Sequence, residues 1–184
     1  MMDSTKKEVH TKKRKKALFL DRDGVINEDT AYPFKPEQIK FKKDIFQFCK
    51  IAVSKGYIIV IVTNQSGIAK GYFTEKDVEH LHDWMTEEFK NQGILIAKIY
   101  YSPYHKEGVV PRYRKDSILR KPRPGMIIKA AKELNIDITK SFMVGDKHSD
   151  RIDLPSLRSI IIKSNYTENG LFDVDDLMSI IPMI

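Results

Sequence analysis

The chain has 184 residues, of which 41% are hydrophobic and 31% charged, and its formal net charge is +7. That balance fits one globular domain with a sizeable core, and no apolar run approaches the ~20 residues of a membrane span. No secretory leader is expected, and the single cysteine, Cys49, excludes an internal disulfide framework and fits a reducing, cytoplasmic setting.

Residues 1–15 carry much of the positive charge, with Lys6, Lys7, Lys12, Lys13, Arg14 and Lys15 and without apolar periodicity. They are expected to be a disordered basic arm ahead of one domain over 16–184. Such an arm suits a solvated tail, or contact with nucleic acid or a membrane surface. Next comes a hydrophobic run, Ala17-Leu18-Phe19-Leu20, which breaks into Asp21, Arg22, Asp23 and Gly24. A short apolar run closed by a turn signal predicts a buried strand over 16–20. Two carboxylates at its C-terminal end are costly to bury without partners, and strand ends are where open α/β sheets bind ligands. A cation or a phosphate is therefore expected there.

Residues 28–40, with Pro33 and Pro36, are expected to form a flap over that strand end. Residues 43–55 predict an amphipathic helix on Ile45, Phe48, Cys49, Ala52 and Val53, stopped by Gly56. Cys49 belongs to its apolar face and is expected to be inert. Residues 57–62, YIIVIV, have the β-branched, wholly apolar character of a central parallel strand, which ends in Thr63, Asn64, Gln65, Ser66 and Gly67. Residues 74–92 predict a second helix, capped by Thr74 with Asp77 and buried through Val78, Leu81, Met85 and Phe89. His80 and His82 on this helix are two residues apart, so they cannot chelate one metal together, and both are expected at the surface. A third strand is expected over 97–101, then a long basic loop over 102–123. A third helix starts at Pro124 on Met126, Ile127, Ala130, Ala131 and Leu134. A strand over 141–144 ends in Gly145, Asp146 and Lys147. A short helix over 150–157, a fifth strand over 159–162 and a helix over 173–180 complete the chain.

Strands alternating with helices at this spacing predict an α/β, Rossmann-like, doubly wound parallel sheet with helices on both faces. Its strand ends would bring together Asp21 and Asp23, Thr63 and Asn64, the basic loop, and Asp146 with Lys147. Asp21 and Asp146 suit Mg2+, a hard ion that takes oxygen ligands and is usually shared with phosphate. Lys121 and Thr63 suit an anion clamp, opposite an aspartate able to attack phosphorus. Asp23 suits general acid and base work. No G-x-x-x-x-G-K-[ST] and no G-x-G-x-x-G after the first strand are present, which disfavours a P-loop kinase and a dinucleotide fold of that kind.

The segments LFLDRDGVINED, VTNQSGIAKGYF, RKPRPGM and MVGDKHSD resemble the haloacid dehalogenase (HAD) superfamily. Within it they resemble the branch of D-glycero-D-manno-heptose 1,7-bisphosphate phosphatases and histidinol-phosphate phosphatases. The resemblance spans residue 18 to about residue 150. It implies Asp21 as nucleophile, Asp23 as acid and base, and Thr63 and Lys121 steadying the phosphoryl group. It implies substrate contacts from Asp29, Thr30, Ala31, Tyr32, Asn64, Gln65, Ser66, Arg120 and Lys147. Mg2+ would lie on Asp21, Asp146 and the carbonyl of Asp23, and no large cap domain is expected.

The chain departs from this family at one place. Relatives commonly carry a zinc loop, whereas the corresponding positions here are Ser102, Tyr104, Ser117 and Leu119, none a good zinc ligand, and His105 alone cannot hold structural zinc. No structural zinc is expected, and the loop must be held by its own packing, for example through Tyr100, Tyr101, Tyr104 and Tyr113, or be mobile. Its seven basic residues against two acids attract a substrate with more than one phosphate. That favours a Mg2+-dependent phosphatase acting on the 7-phosphate of a heptose bisphosphate, in heptose-nucleotide synthesis for surface polysaccharide. Histidinol-phosphate phosphatase, a nucleic-acid 3′-phosphatase and a non-catalytic phospho-ligand module stay as alternatives. The expected partner is a small sugar phosphate, not a membrane or a nucleic acid, and a cytoplasmic monomer is expected.

Overall fold

A computed structural model describes residues 13–167 and 170–184; residues 1–12 of the basic arm lie outside it. Five parallel strands form one sheet: β1 (Lys16–Leu20), β2 (Tyr57–Asn64), β3 (Ile96–Ser102), β4 (Phe142–Gly145) and β5 (Arg158–Ile161), in the order β3-β2-β1-β4-β5. Three helices accompany them: α1 (Ile45–Ser54), α2 (Glu75–Asn91) and α3 (Gly125–Leu134).

The period-2 alternation of β1 sorts its side chains to two cores. Leu18 and Leu20 point to the face that packs Ile45, Phe48, Cys49 and Ala52 of α1 and Met85 and Phe89 of α2. Ala17 and Phe19 point to the other face, against Met126, Ile127 and Ala130 of α3. Burying a leucine or phenylalanine in such a layer contributes roughly 1.5–3 kcal/mol. The predicted doubly wound sheet, with helices on both faces, is the observed fold. Burial pushes the Cys49 thiol up to about 12, so it is a core residue of low reactivity.

The chain runs outward from β1 to β2 to β3, then returns to place β4 on the other side of β1. The gap between β1 and β4 is thus the topological switch point, where the connections leave in opposite directions and open a crevice at the carboxyl ends of the strands. Asp21 follows β1 and Asp146 follows β4 at that crevice.

Several expectations need correction. No helix forms over 150–157: a 3-10 turn, His148–Asp150, is followed by irregular chain. The Asp150 carboxylate accepts from the backbone N–H of Asp146 and Lys147 and ties the segment back to β4. The C-terminal helix lies later and is 3-10, Met178–Met183. Asp173 instead accepts from the N–H of Ile161, and Val174 bridges Ile162 at the end of β5. His80 is exposed, but His82 is buried. It shares the helical face of Val78, Met85 and Phe89, a spacing of four, three and four that the apolar stripe concealed. Val53 of α1 is exposed. The α2 cap is as expected: Thr74 and Asp77 exchange hydrogen bonds, with the Asp77 N–H donating to Thr74 Oγ1 and the Thr74 N–H to Asp77 Oδ2. No helix is long and apolar enough to cross a membrane among the described residues.

Candidate active site

Two glycines allow the carboxylates to converge. Gly24 has φ +96, a conformation costly for any residue with a Cβ, and a Cβ there would overlap the Asp146 carboxylate. A Cβ on Gly145 would overlap Asp150. The acids are packed directly against backbone, and the local chain must be glycine at both points.

Asp21, Asp146 and Asp150 are all buried, and each offers an oxygen within 4.8 Å of the others. Lys121, also buried, sits among them, 2.8 Å from Asp21 Oδ1 and 2.5 Å from Asp150 Oδ1. Three carboxylates against one ammonium leave an excess of negative charge in a water-poor site. Burial accordingly raises the Asp21 pKa to about 6, although Lys121 pulls it down. Burial and then the charge of Asp21 raise Asp146 to about 8, with Lys147 opposing. Lys121 moves the other way: burial alone would lower it, but Asp150 and Asp21 raise it and hold it charged.

The distribution of partners separates the three acids. Asp150 has both oxygens satisfied, Oδ1 by Lys121 and Oδ2 by two backbone N–H groups. Asp146 Oδ1 is buried with no hydrogen-bond partner among the described residues, a costly state for an anionic oxygen. An orphaned carboxylate oxygen beside a second carboxylate, both hard donors, fits a divalent cation such as Mg2+. Asp21 and Asp146 are the residues that would hold it.

Asp23 lies at the wall of the cleft and accepts four hydrogen bonds: two from Arg22, one from Asn27 and one from Gln65. Burial pushes its pKa up, but the Arg22 charge and these donors hold it below the ordinary carboxylate value. Gln65 Nε2 also donates to Thr63 Oγ1, at 2.9 Å. Asn64 clamps the basic loop: its Oδ1 accepts from the Lys121 N–H and its Nδ2 donates to the Lys121 carbonyl. β2 runs two residues beyond its expected end, so that Thr63 and Asn64 are themselves strand residues paired with Tyr101 and Ser102.

A cavity of about 250 Å3 opens over this floor, lined by Asp23, Asp29, Ala31, Tyr32, Asn64, Gln65, Ser66, Arg120 and Lys147, together with Ser149 and Tyr166. Thr30, expected with the flap residues, is exposed and does not line it. Lys147 forms a 2.6 Å ion pair with Asp29, which also accepts from the Tyr166 hydroxyl. Tyr32 accepts from Lys70 at 2.6 Å, and this hydrogen bond draws its phenol below the usual value. Arg120 donates to the Tyr104 carbonyl and has no carboxylate within ion-pair range among the described residues. Five residues around the site were missing from the sequence reading: Arg22, Asn27, Ser149, Asp150 and Tyr166. Arg22 read as the spacer between two acids, and only Asp150 had a local signal, as the second acid of GDKHSD.

The basic loop is pinned to α2. The Tyr113 hydroxyl donates to Glu75 at 2.5 Å, the Tyr101 hydroxyl to Glu79 at 3.1 Å, and Arg112 lies 3.8 Å from Glu75. The Tyr104 and Tyr113 rings pack at 6.2 Å and Lys115 lies over Tyr104. Tyr100 points elsewhere, donating to Glu133. Ser102 and Ser117 are buried and Leu119 half-buried.

The model of the polynucleotide kinase 3 phosphatase family matches residues 16–174. The D-glycero-alpha-D-manno-heptose-1,7-bisphosphate 7-phosphatase of Burkholderia mallei is 44% identical over 137 residues, 74% of this chain and 72% of that one. The D-glycero-beta-D-manno-heptose-1,7-bisphosphate 7-phosphatase of Pasteurella multocida is 46% identical over 138 residues, 75% and 74%. Among solved structures, the D,D-heptose 1,7-bisphosphate phosphatase of B. bronchiseptica, complexed with magnesium and phosphate, superposes with a TM-score of 0.77. It covers 91% of this chain and 97% of that one at 23% identity, a likeness of fold.

Proposed function

The chain belongs to the polynucleotide kinase 3 phosphatase family of HAD-type phosphatases, and from that premise we propose that it hydrolyses the 7-phosphate of a D-glycero-D-manno-heptose 1,7-bisphosphate. The observation that carries the reading is the placement of Asp21 and Asp23 at the switch point, one buried against Lys121 and the other on the cavity wall. Residues 16–184 act as one catalytic unit. The product would enter heptose-nucleotide synthesis for surface polysaccharide, in the cytoplasm, with the enzyme working as a monomer.

The division of labour follows from the environments. The Asp21 carboxylate attacks phosphorus, forming the Asp21 O–P bond as the bond from phosphorus to the sugar oxygen breaks. Lys121 faces the oxygens that gain charge, with Thr63 beside it. Asp23 enters the first step carrying a proton and delivers it to the departing sugar oxygen, which leaves the ionised form that Arg22, Asn27 and Gln65 hold. It then takes one from the water that attacks the aspartyl-phosphate, releasing inorganic phosphate and restoring Asp21. Mg2+, when bound on Asp21, Asp146 and the carbonyl of Asp23, supplies charge neutralisation that lets a phosphate approach the acids. No zinc enters the scheme.

Specificity for a second phosphate rests on Arg120. Lys147 is neutralised by Asp29, whereas Arg120, with no ion-pair partner among the described residues, presents its charge to the cavity. A bisphosphate meets that charge favourably and histidinol phosphate, with its own cationic groups, does not. Asp29, Ala31, Tyr32, Asn64, Gln65 and Ser66 complete the substrate walls. The test is phosphate release from both heptose bisphosphate anomers, histidinol phosphate and a 3′-phosphorylated oligonucleotide, with Mg2+ and with chelator. Preference for a heptose bisphosphate, lost with chelator, is expected. A preference for histidinol phosphate or the oligonucleotide overturns the substrate, and full activity of Asp21→Asn overturns the mechanism.

A further inference from the structure

Arg22 is the largest fully buried side chain of the molecule's described part, at 0% exposure, and it lies between the two reactive aspartates. A guanidinium carries five N–H donors in a rigid plane and no acceptor, so its placement in the interior has to be answered by acceptors around it. Its Nε donates to Asp23 Oδ1 at 3.0 Å and its Nη2 to Asp23 Oδ2 at 2.9 Å, a bidentate fork. Nη2 also reaches the carbonyl of Pro33 at 2.9 Å and Gln65 Oε1 at 3.1 Å. Nη1 lies 3.3 Å from His82 Nε2.

These acceptors come from four separate parts of the chain: the turn after β1, the flap, the end of β2, and α2. The pairings also set the chemistry of each partner. Arginine only donates, so His82 must present a lone pair at Nε2 and carry its proton on Nδ1. Burial and the neighbouring guanidinium hold that imidazole neutral, with its pKa lowered to about 3. Gln65 must turn its oxygen to Arg22, which aims its amide nitrogen at Asp23 Oδ2 and Thr63 Oγ1. A lysine in this place would offer a point charge without the planar fork. Arg22 is fully buried and does not line the cavity, whereas Asp23 and Gln65 do.

We propose that Arg22 is a positioning residue: its fork fixes the plane of the Asp23 carboxylate, its contact with Pro33 ties that plane to the flap, and His82 orients the fork from behind. The inference rests on the phosphatase reading, in which Asp23 protonates the leaving oxygen. Rotation of a carboxylate by tens of degrees costs proton transfer first, because the proton must travel along a hydrogen bond to the departing oxygen.

The measurement exploits the leaving group. A sugar alkoxide needs a proton to depart, whereas p-nitrophenolate is a stable anion and departs without one. The ratio of kcat/KM for heptose 1,7-bisphosphate to kcat/KM for p-nitrophenyl phosphate therefore reads the delivery of that proton, while general damage to the fold lowers both terms together. Asp23→Asn should lower the ratio by about 100-fold, and Arg22→Lys by about tenfold or more. His82→Leu, which removes the acceptor behind the fork, should lower it several-fold, and His82→Gln, which restores an acceptor oxygen, should return it towards the native value. If Asp23→Asn shifts the ratio while Arg22→Lys and His82→Leu leave it unchanged, the positioning role is wrong and the phosphatase reading stands. If Asp23→Asn itself leaves the ratio unchanged, the acid assignment fails and takes the inference with it. Should Arg22→Lys not fold, the two His82 variants decide: equal ratios in His82→Leu and the native enzyme overturn the proposal.

Discussion

Replacing Lys121 by methionine keeps the bulk of the side chain and removes its charge. In the native protein the ammonium lies 2.8 Å from Asp21 and 2.5 Å from Asp150, with all three side chains buried. At an effective dielectric of about 20, a pair at that separation has a gross attraction of about 6 kcal/mol. Most of it offsets the desolvation of both ions, but removing one partner leaves the other charge buried and uncompensated, at a cost of about 3–5 kcal/mol. With an m value of about 2 kcal/mol/M, the urea midpoint of Lys121→Met should fall by about 2 M. Adding Asp150→Asn should recover part of that loss, because an asparagine oxygen can still accept from the N–H groups of Asp146 and Lys147 while the excess anion is gone. Equilibrium unfolding followed by circular dichroism measures both variants. A midpoint within about 0.3 M of native for Lys121→Met, or a double variant no more stable than the single one, would show that Lys121 is not what balances the acids. Turnover should fall by about 100–1,000-fold in Lys121→Met, as expected when a charge facing a phosphoryl group is lost.

Stability should also depend on pH and metal. Asp21 and Asp146 have folded pKa values raised to about 6 and about 8, so between their unfolded values near 3.8 and those limits the folded state binds more protons. Metal-free protein should therefore lose stability as pH rises from about 4, by up to about 1.4 kcal/mol per unit for each group, with Asp21 contributing up to about pH 6 and Asp146 up to about pH 8; thermal melts with and without Mg2+ check this, and Mg2+ should flatten the slope. Gly24→Ala forces a Cβ into the Asp146 carboxylate at φ +96, and should cost about 1–3 kcal/mol and nearly all activity; retention of native activity would contradict the close packing. Tyr113→Phe removes the hydroxyl bonded to Glu75, a charged hydrogen bond of roughly 1.5–3 kcal/mol. It should raise KM several-fold with little change in kcat and speed tryptic cleavage at Arg114 and Lys115, whereas an unchanged cleavage rate would mean the loop is held elsewhere.

Much of the fold was legible because burial leaves periodic traces. β1 falls on the expected residues and β2 begins where expected, since continuous β-branched runs can lie only between two covered faces. Thr74 and Asp77 marked the start of α2 because a capping box is complete within four residues. The segments 150–157 and 173–180 misled because their polar residues, Asp150 and Asp173, satisfy backbone groups of β4 and β5 rather than continuing a helix.

By itself, then, the sequence determined the parallel sheet, the identity of its central strands and the acids at their ends, because those features are written in short, contiguous patterns of apolarity and turn chemistry. The tertiary structure alone decided the rest. It placed Asn64 on the backbone of Lys121, 57 positions away, and Arg22 against His82, 60 positions away. It satisfied both oxygens of Asp150 while leaving Asp146 Oδ1 without a partner among the described residues. It also fastened the basic loop to α2 through Tyr113 and Glu75. Pairings of that range have no period in the chain, and they exist only once the switch between β1 and β4 brings the strand ends together.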